Sequence, residues 1–83
     1  MNLGDLAVGE KAKVAGYIKG SKSYRGKLMA MGLTKGTDFV ITRVAPMGDP
    51  VEINVRGFAL TLRKDEAAAV TVERGSRPLV ILS

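Results

Sequence analysis

The feature that most constrains the fold is a regular alternation of apolar and polar residues over positions 51–63. Residues 51–55 and 58–62 each place an apolar side chain at every second position. A period of two is typical of β-strands that bury one face. Arg56-Gly57 between the two runs supplies a two-residue turn. The segment therefore predicts a β-hairpin.

Three further segments show short strand patterns, and together with the hairpin they make about five strands. Residues 13–19 alternate around Gly16, which indicates a bulge or a tight bend. Residues 37–45 and 70–73 read as further strands, and residues 64–70 as one helical turn. In 83 residues such strands must curl to cover their edges. We expect a mainly β domain, a small SH3-like barrel of about five strands with a short α-helix inserted between the first two.

The inserted helix is predicted from residues 21–32, where the period changes. Tyr24, Leu28 and Met31 fall at i, i+4 and i+7, the spacing of one helix face. We expect this face to pack on the barrel, with one apolar side chain of the helix left exposed for a partner. Tyr24 is the better candidate for contact, since Lys22, Arg25 and Lys27 surround it in the sequence.

The composition argues against an enzyme and against a metal or cofactor site. The chain has no cysteine and no histidine, so it lacks thiolate and imidazole ligands and the commonest general base at neutral pH. The eight acidic residues show no spacing that indicates a site. No apolar run reaches the roughly 20 residues that a membrane-spanning helix needs. We expect a protein without catalytic residues, without a cofactor and without membrane insertion.

The positive charge is concentrated in one segment. Residues 11–35 contain no acidic residue and seven basic ones: Lys11, Lys13, Lys19, Lys22, Arg25, Lys27 and Lys35. Such a segment can attract an acidic protein, a nucleic acid or an anionic membrane surface. It can equally be a solvated face that keeps a small protein in solution.

Between the second strand and the hairpin lies a turn-forming pentapeptide: Pro46, Met47, Gly48, Asp49 and Pro50. Two hypotheses fit it. The prolines can simply fix the connection between two strands by lowering the entropy of the unfolded chain. Alternatively, a rigid loop that presents Met47 beside the helix is a pre-organised docking surface. The two hypotheses are compatible.

Two aromatic residues and the C-terminal residues complete the expectations. Phe39 and Phe58 lie on strand faces that a small barrel would bury, so we expect both in the core. We take residues 1–73 as the barrel and 74–83 as an extension. The apolar run at 79–82 can add a strand, pack under the helix or mediate self-association.

Three motifs in this order resemble the FeoA family of small ferrous-iron transport proteins. They are "KLMAMGLTKG" at 27–36, "APMGDP" at 45–50 and "LRKDEA" at 62–67, and the resemblance runs from Leu3 to about Val72. FeoA-type domains also occur in some metal-dependent repressors.

The resemblance implies an SH3-like barrel in the cytoplasm and a partner, the FeoB-type permease with its GTP-binding cytoplasmic domain. We expect Arg63 and Glu66 to pair across the turn that closes the barrel. Partner-binding residues are expected on the helix and the loop: Tyr24, Arg25, Lys27, Met31, Pro46, Met47, Gly48, Asp49 and Pro50.

Two other functions stay open. The basic segment suits a nucleic-acid-binding barrel, although the chain has few aromatic residues for stacking on bases. A stand-alone regulatory domain of the repressor type is the other, although the chain has no helix-turn-helix portion.

Overall fold

The computed structural model describes residues 1–20 and 22–74. Within these residues there are five strands and two α-helices, with short 3₁₀ turns at Leu3–Asp5 and Pro46–Gly48. The elements in chain order are β1 (Lys11–Tyr17), α1 (Lys22–Ala30), β2 (Asp38–Val44), β3 (Val51–Val55), β4 (Phe58–Leu62), α2 (Lys64–Ala69) and β5 (Val70–Arg74). The predicted five strands, with a helix between the first two, are confirmed.

The strands form one antiparallel sheet in the order β4-β3-β2-β1-β5. The first strand pairs with both β2 and β5, so it is an interior strand of the sheet. The β1–β5 register shifts between Val14 and Gly16, which confirms the irregularity expected at that glycine. The α2 helix links β4 to β5 and so connects the two outer strands.

The predicted hairpin is present in full register. Val51 lies opposite Leu62, and Val55 lies opposite Phe58. At the turn Arg56 and Gly57 have φ values of 53° and 87°. Two successive positive φ values are the geometry that matches the right-handed twist of the strands. The Gly57 amide also donates a hydrogen bond to the Asn54 side chain at 3.0 Å.

The core lies between the inner face of the sheet and the two helices. Its largest fully buried side chains come from the N-terminal turn, from α1 and the turn after it, and from each of the five strands. They are Leu3, Val14, Leu28, Leu33, Ile41, Ile53, Leu62 and Val70. Phe39 is buried as expected. Burial of these side chains supplies most of the stabilisation, at about 1.5–3 kcal/mol for each large one.

The prediction that Phe58 is a core residue is wrong. Its side chain is 73% exposed, although Leu62, four positions later on the same strand face, is fully buried. Phe58 is the first residue of the edge strand β4, whereas its opposite residue on β3, Val55, is 4% exposed, so the cover reaches β3 but not the start of β4. Alternation identifies the face of a strand but not the point at which the covering layer stops.

The C-terminal extension falls largely outside the described residues. Arg74 closes β5 and its guanidinium nitrogen Nε lies 3.3 Å from the Glu10 carboxylate. The expectations of an extra strand, packing under the helix or self-association concern residues 75–83, which are not described.

Candidate functional site

The α1 helix carries three of the nine predicted partner-binding residues, and a fourth, Met31, follows its last residue. Leu28 is fully buried and fixes the helix on the barrel. Tyr24 and Met31 are half-buried and pack against the core at their inner edges. Arg25 and Lys27 are both exposed, and the Lys27 ammonium reaches Glu66 of α2. The helix therefore presents a basic outer face with partly accessible apolar side chains at both ends.

The loop between β2 and β3 is closed by backbone hydrogen bonds. The Gly48 amide donates to the Ala45 carbonyl at 2.9 Å, and the Ala45 amide donates to the Pro50 carbonyl at 3.0 Å. The Asp49–Pro50 peptide bond is cis. Both ends of the pentapeptide are thus tied to one another, and the loop is a compact turn.

Met47 stands out within this loop. Its φ and ψ of 68° and 13° match the third position of a type II turn, which glycine or asparagine usually occupies. Its side chain is 90% exposed. A left-handed backbone costs an L-residue about 1–2 kcal/mol, and this side chain gains almost nothing from burial. Met47 thus combines an exposed apolar side chain with a backbone conformation that L-residues rarely adopt.

Lys27 and Glu66 form an ion pair that joins α1 to α2. The Lys27 Nζ lies 2.6 Å from Glu66 Oε2, and the Glu66 side chain is only 8% exposed. The hydrogen bond from Lys27 and a second from the Arg63 amide lower the pKa of Glu66 from its ordinary value, against the opposing effect of burial. Glu66 therefore pairs with Lys27, and Arg63 contributes its backbone amide rather than the expected side-chain pair.

Asp49 ties the loop to the start of α2. Its Oδ1 accepts a hydrogen bond from the Lys64 amide at 3.2 Å. The same oxygen lies 3.8 Å from an Arg63 guanidinium nitrogen, between two well-exposed side chains. Exposed pairs of this kind stabilise by at most about 1 kcal/mol. The hydrogen bond to the helix amide is the more specific contact.

The structure divides the predicted residues among four depressions. Tyr24 and Asp49 line one cleft of about 400 Å³ together with the first turn of α2. Met31 lines an apolar hollow of about 420 Å³ with Phe58 and Leu60. Arg25 lies in a third.

The third depression, about 340 Å³, is basic. Arg25 shares it with Lys19, Lys22 and Tyr17. The Tyr17 hydroxyl donates a hydrogen bond to the Leu33 carbonyl, and burial raises the pKa of Tyr17 above its ordinary value. Pro50 faces a shallow depression elsewhere, with Arg43 and Thr61. Of the predicted residues, only Tyr24 and Asp49 line one depression together, and Lys27 is joined to that depression through Glu66.

Sequence reasoning missed two residues that line these depressions. Glu66 was expected to pair only locally, because nothing in the sequence relates it to Lys27, 39 positions away. Phe58 was assigned to the core, and its position beside the turn residues Arg56-Gly57 was the available signal of exposure.

Two observations bear on what the chain does chemically. Within residues 1–20 and 22–74, no three acidic side chains come close enough together to hold a metal ion. No helix in that part of the chain is long and apolar enough to cross a membrane.

Comparison with known proteins assigns the family. The model of the FeoA domain matches residues 1–74. A FeoA-like protein from Clostridium acetobutylicum is 38% identical, with a TM-score of 0.82 over 98% of this chain and 93% of that chain. The zinc-complexed FeoA of Stenotrophomonas maltophilia, described as a prokaryotic SH3 domain protein, is 25% identical, with a TM-score of 0.76 over 88% of this chain and 89% of that one.

A longer relative is a fusion of Fe(2+) transport protein A with the Fe(2+) transporter FeoB in Porphyromonas gingivalis. It is 29% identical over 73 residues, which is 88% of this chain but only 8% of the relative. The family is linked to ferrous-iron transport, and its solved members share the SH3-like fold. The chain described here belongs to the FeoA family.

Proposed function

We propose that this protein is a non-enzymatic module of ferrous-iron uptake that binds the cytoplasmic, GTP-binding part of a FeoB-type permease. The observation that carries the proposal is the fusion relative, in which a FeoA segment and FeoB are parts of one chain. Covalent linkage raises the effective concentration of two modules for each other, and such fusions are expected where the separate proteins associate.

The surface we assign to this contact is the docking surface, defined as Tyr24, Arg25, Lys27, Met31 and the loop Pro46–Pro50. Met47 would supply an apolar anchor, since its side chain is 90% exposed and held on a compact loop. A rigid anchor loses little conformational freedom on binding. The basic side chains of α1 would steer an acidic partner and set the salt dependence of association.

A role in nucleic-acid binding has less support. Seven basic residues lie in positions 11–35, but Tyr17 and Tyr24 are both half-buried and Tyr17 is engaged with Leu33. Little aromatic surface is then left for stacking on bases, except at Phe58.

The test is a titration of this protein with the purified cytoplasmic domain of its cognate permease, with and without guanine nucleotide. Met47→Asp and Arg25→Glu are the test variants, because both side chains are exposed and changing them disturbs little of the core. Lys35→Glu is the matched control, an exposed charge reversal in the turn after α1. Lys27 is unsuitable for reversal, since a carboxylate there would face Glu66.

The proposal predicts micromolar binding that weakens at least tenfold for Met47→Asp and Arg25→Glu and less than twofold for Lys35→Glu. Equal weakening by both charge reversals would mean nonspecific attraction. Absence of binding in every nucleotide state would contradict the proposal. A parallel titration with duplex DNA and single-stranded RNA at 50 and 200 mM salt tests the alternative, for which steep salt dependence from a submicromolar start is expected.

A further inference from the structure

The three sequence motifs of this chain converge on one polar network. The first motif supplies Lys27, the second supplies Asp49, and the third supplies Arg63, Lys64 and Glu66. The docking function proposed above uses the first two motifs but leaves the third without a role. The third motif begins α2, the short helix that contacts α1 and is hydrogen-bonded to the loop through the Lys64 amide.

Glu66 is the centre of the network. Its Oε2 lies 2.6 Å from the Lys27 Nζ, and its Oε1 accepts a hydrogen bond from the Arg63 amide at 2.8 Å. The side chain is 8% exposed, so the two contacts take place largely out of water. A buried carboxylate with both oxygens engaged is held in one geometry. The carboxylate therefore fixes α1 against the first turn of α2.

Asp49 makes the second connection. Its Oδ1 accepts from the Lys64 amide, the next amide along α2 after the one that Glu66 holds. The first amides of a helix have no partner within the helix and need an outside acceptor. Here the Arg63 amide donates to Glu66 of the helix itself, and the Lys64 amide donates to Asp49 of the loop. The first turn of α2 is thus bonded on one side to α1 and on the other to the loop.

We propose that Glu66 and Asp49 are positioning residues, and that α2 serves as a bracket that holds α1 and the Met47 loop in a fixed relation. This inference rests on the proposed docking function and deepens it. It assigns Asp49 to the support of the loop and not to contact with the partner. It also gives the third motif a role, which is to make two separate segments act as one surface.

The first experiment needs no partner. Amide hydrogen exchange in the full chain is followed by NMR at Ala45 and Gly48, which form the loop hydrogen bonds, and at Ile53 in the core. In Glu66→Gln the neutral amide can still accept from Arg63, but the ion pair with Lys27 is lost. Glu73→Gln, an exposed residue of β5, is the matched control.

The bracket predicts that Glu66→Gln and Lys27→Gln each speed loop exchange at least fivefold relative to Ile53, although the hydrogen bonds of Glu66 run to α1 and to Arg63 and not to the loop. Glu73→Gln should change that ratio less than twofold. A loop-to-core ratio unchanged in Glu66→Gln would overturn the proposal. An equal rise at Ile53 would indicate mere loss of stability and would overturn it too.

The second experiment separates positioning from contact at Asp49. Asn keeps an oxygen that can accept from the Lys64 amide, whereas Ala does not. Asp49→Ala should speed loop exchange at least fivefold, and Asp49→Asn should restore exchange to within twofold of the native protein. Failure of asparagine to restore it would contradict a positioning role.

The third experiment links the bracket to binding. With the permease cytoplasmic domain, Arg25→Glu and Met47→Asp are combined in a double-mutant cycle, in the native protein and in Glu66→Gln. The bracket predicts at least threefold non-additivity in the native protein and additivity in Glu66→Gln. Non-additivity of equal size in both backgrounds would contradict it. If no binding occurs at all, the docking function fails, and the exchange experiments still decide on the bracket.

Discussion

Replacing Met47 by glycine should make the protein more stable and a weaker binder. Met47 has φ 68° and ψ 13°, a conformation that costs an L-residue about 1–2 kcal/mol and costs glycine almost nothing. Glycine in turn raises the entropy of the unfolded chain, which offsets about 0.5–1 kcal/mol. The side chain is 90% exposed, so its removal forfeits little buried area. The net gain is about 0.5–1 kcal/mol.

The gain can be measured by urea and thermal unfolding. For a domain of this size, about 0.5–1 kcal/mol corresponds to a rise in Tm of roughly 2–8 °C. Met47→Ala is the matched control: it also removes the side chain but keeps the left-handed backbone, so no gain in stability is expected. Both variants should bind the permease domain at least tenfold more weakly.

The separation of the two effects is the informative result. If Met47→Gly is more stable than the native protein, Met47→Ala is not, and both bind the permease domain more weakly, the strained backbone at Met47 is retained because it serves the contact. Equal stability of the two variants would refute the argument from backbone strain. Native affinity in both would refute the assignment of Met47 as an anchor.

Three further outcomes follow from burial and charge. The pKa of Glu66 is lowered in the folded state, so the ionised carboxylate stabilises the fold above about pH 4.5. This stabilisation is lost as the pH falls through the lowered pKa. In urea titrations below pH 4.5, the free energy of unfolding of Glu66→Gln should therefore depend less on pH than that of the native protein. In the same assay, Leu28→Ala should lower the free energy of unfolding by about 2–5 kcal/mol because Leu28 is fully buried. Met29→Ala, at a neighbouring side chain that is 42% exposed, should lower it by less than about 1 kcal/mol. Phe58→Ser should change stability by less than about 1 kcal/mol, and a loss above about 2 kcal/mol would mean that the ring is covered in solution.

Much of the fold could be predicted because its determinants are local. The hairpin follows from alternation and a two-residue turn, and the inserted helix follows from a change of period between Tyr24 and Met31. The bulge at Gly16 was indicated by a glycine within a strand pattern. These features depend on neighbours within a few positions, which a single sequence displays.

The features that could not be predicted depend on contacts between distant parts of the chain. Lys27 and Glu66 are 39 positions apart, and only the packing of α1 beside α2 brings them together. The exposure of Phe58 is decided by where the covering layer ends, and the positive φ of Met47 by the closure of its loop. The predicted contact residues Arg25, Met31 and Pro50 accordingly line separate depressions.

The most direct test of the central claim is an NMR map of the interface. The full chain, labelled with ¹⁵N and with ¹³C at the methionine methyl groups, is titrated with the unlabelled cytoplasmic domain of the permease. The account predicts that the largest signal changes occur at Tyr24, Arg25 and Met47, with little change along β5. Large changes along β5 with an unchanged Met47 methyl signal would contradict it.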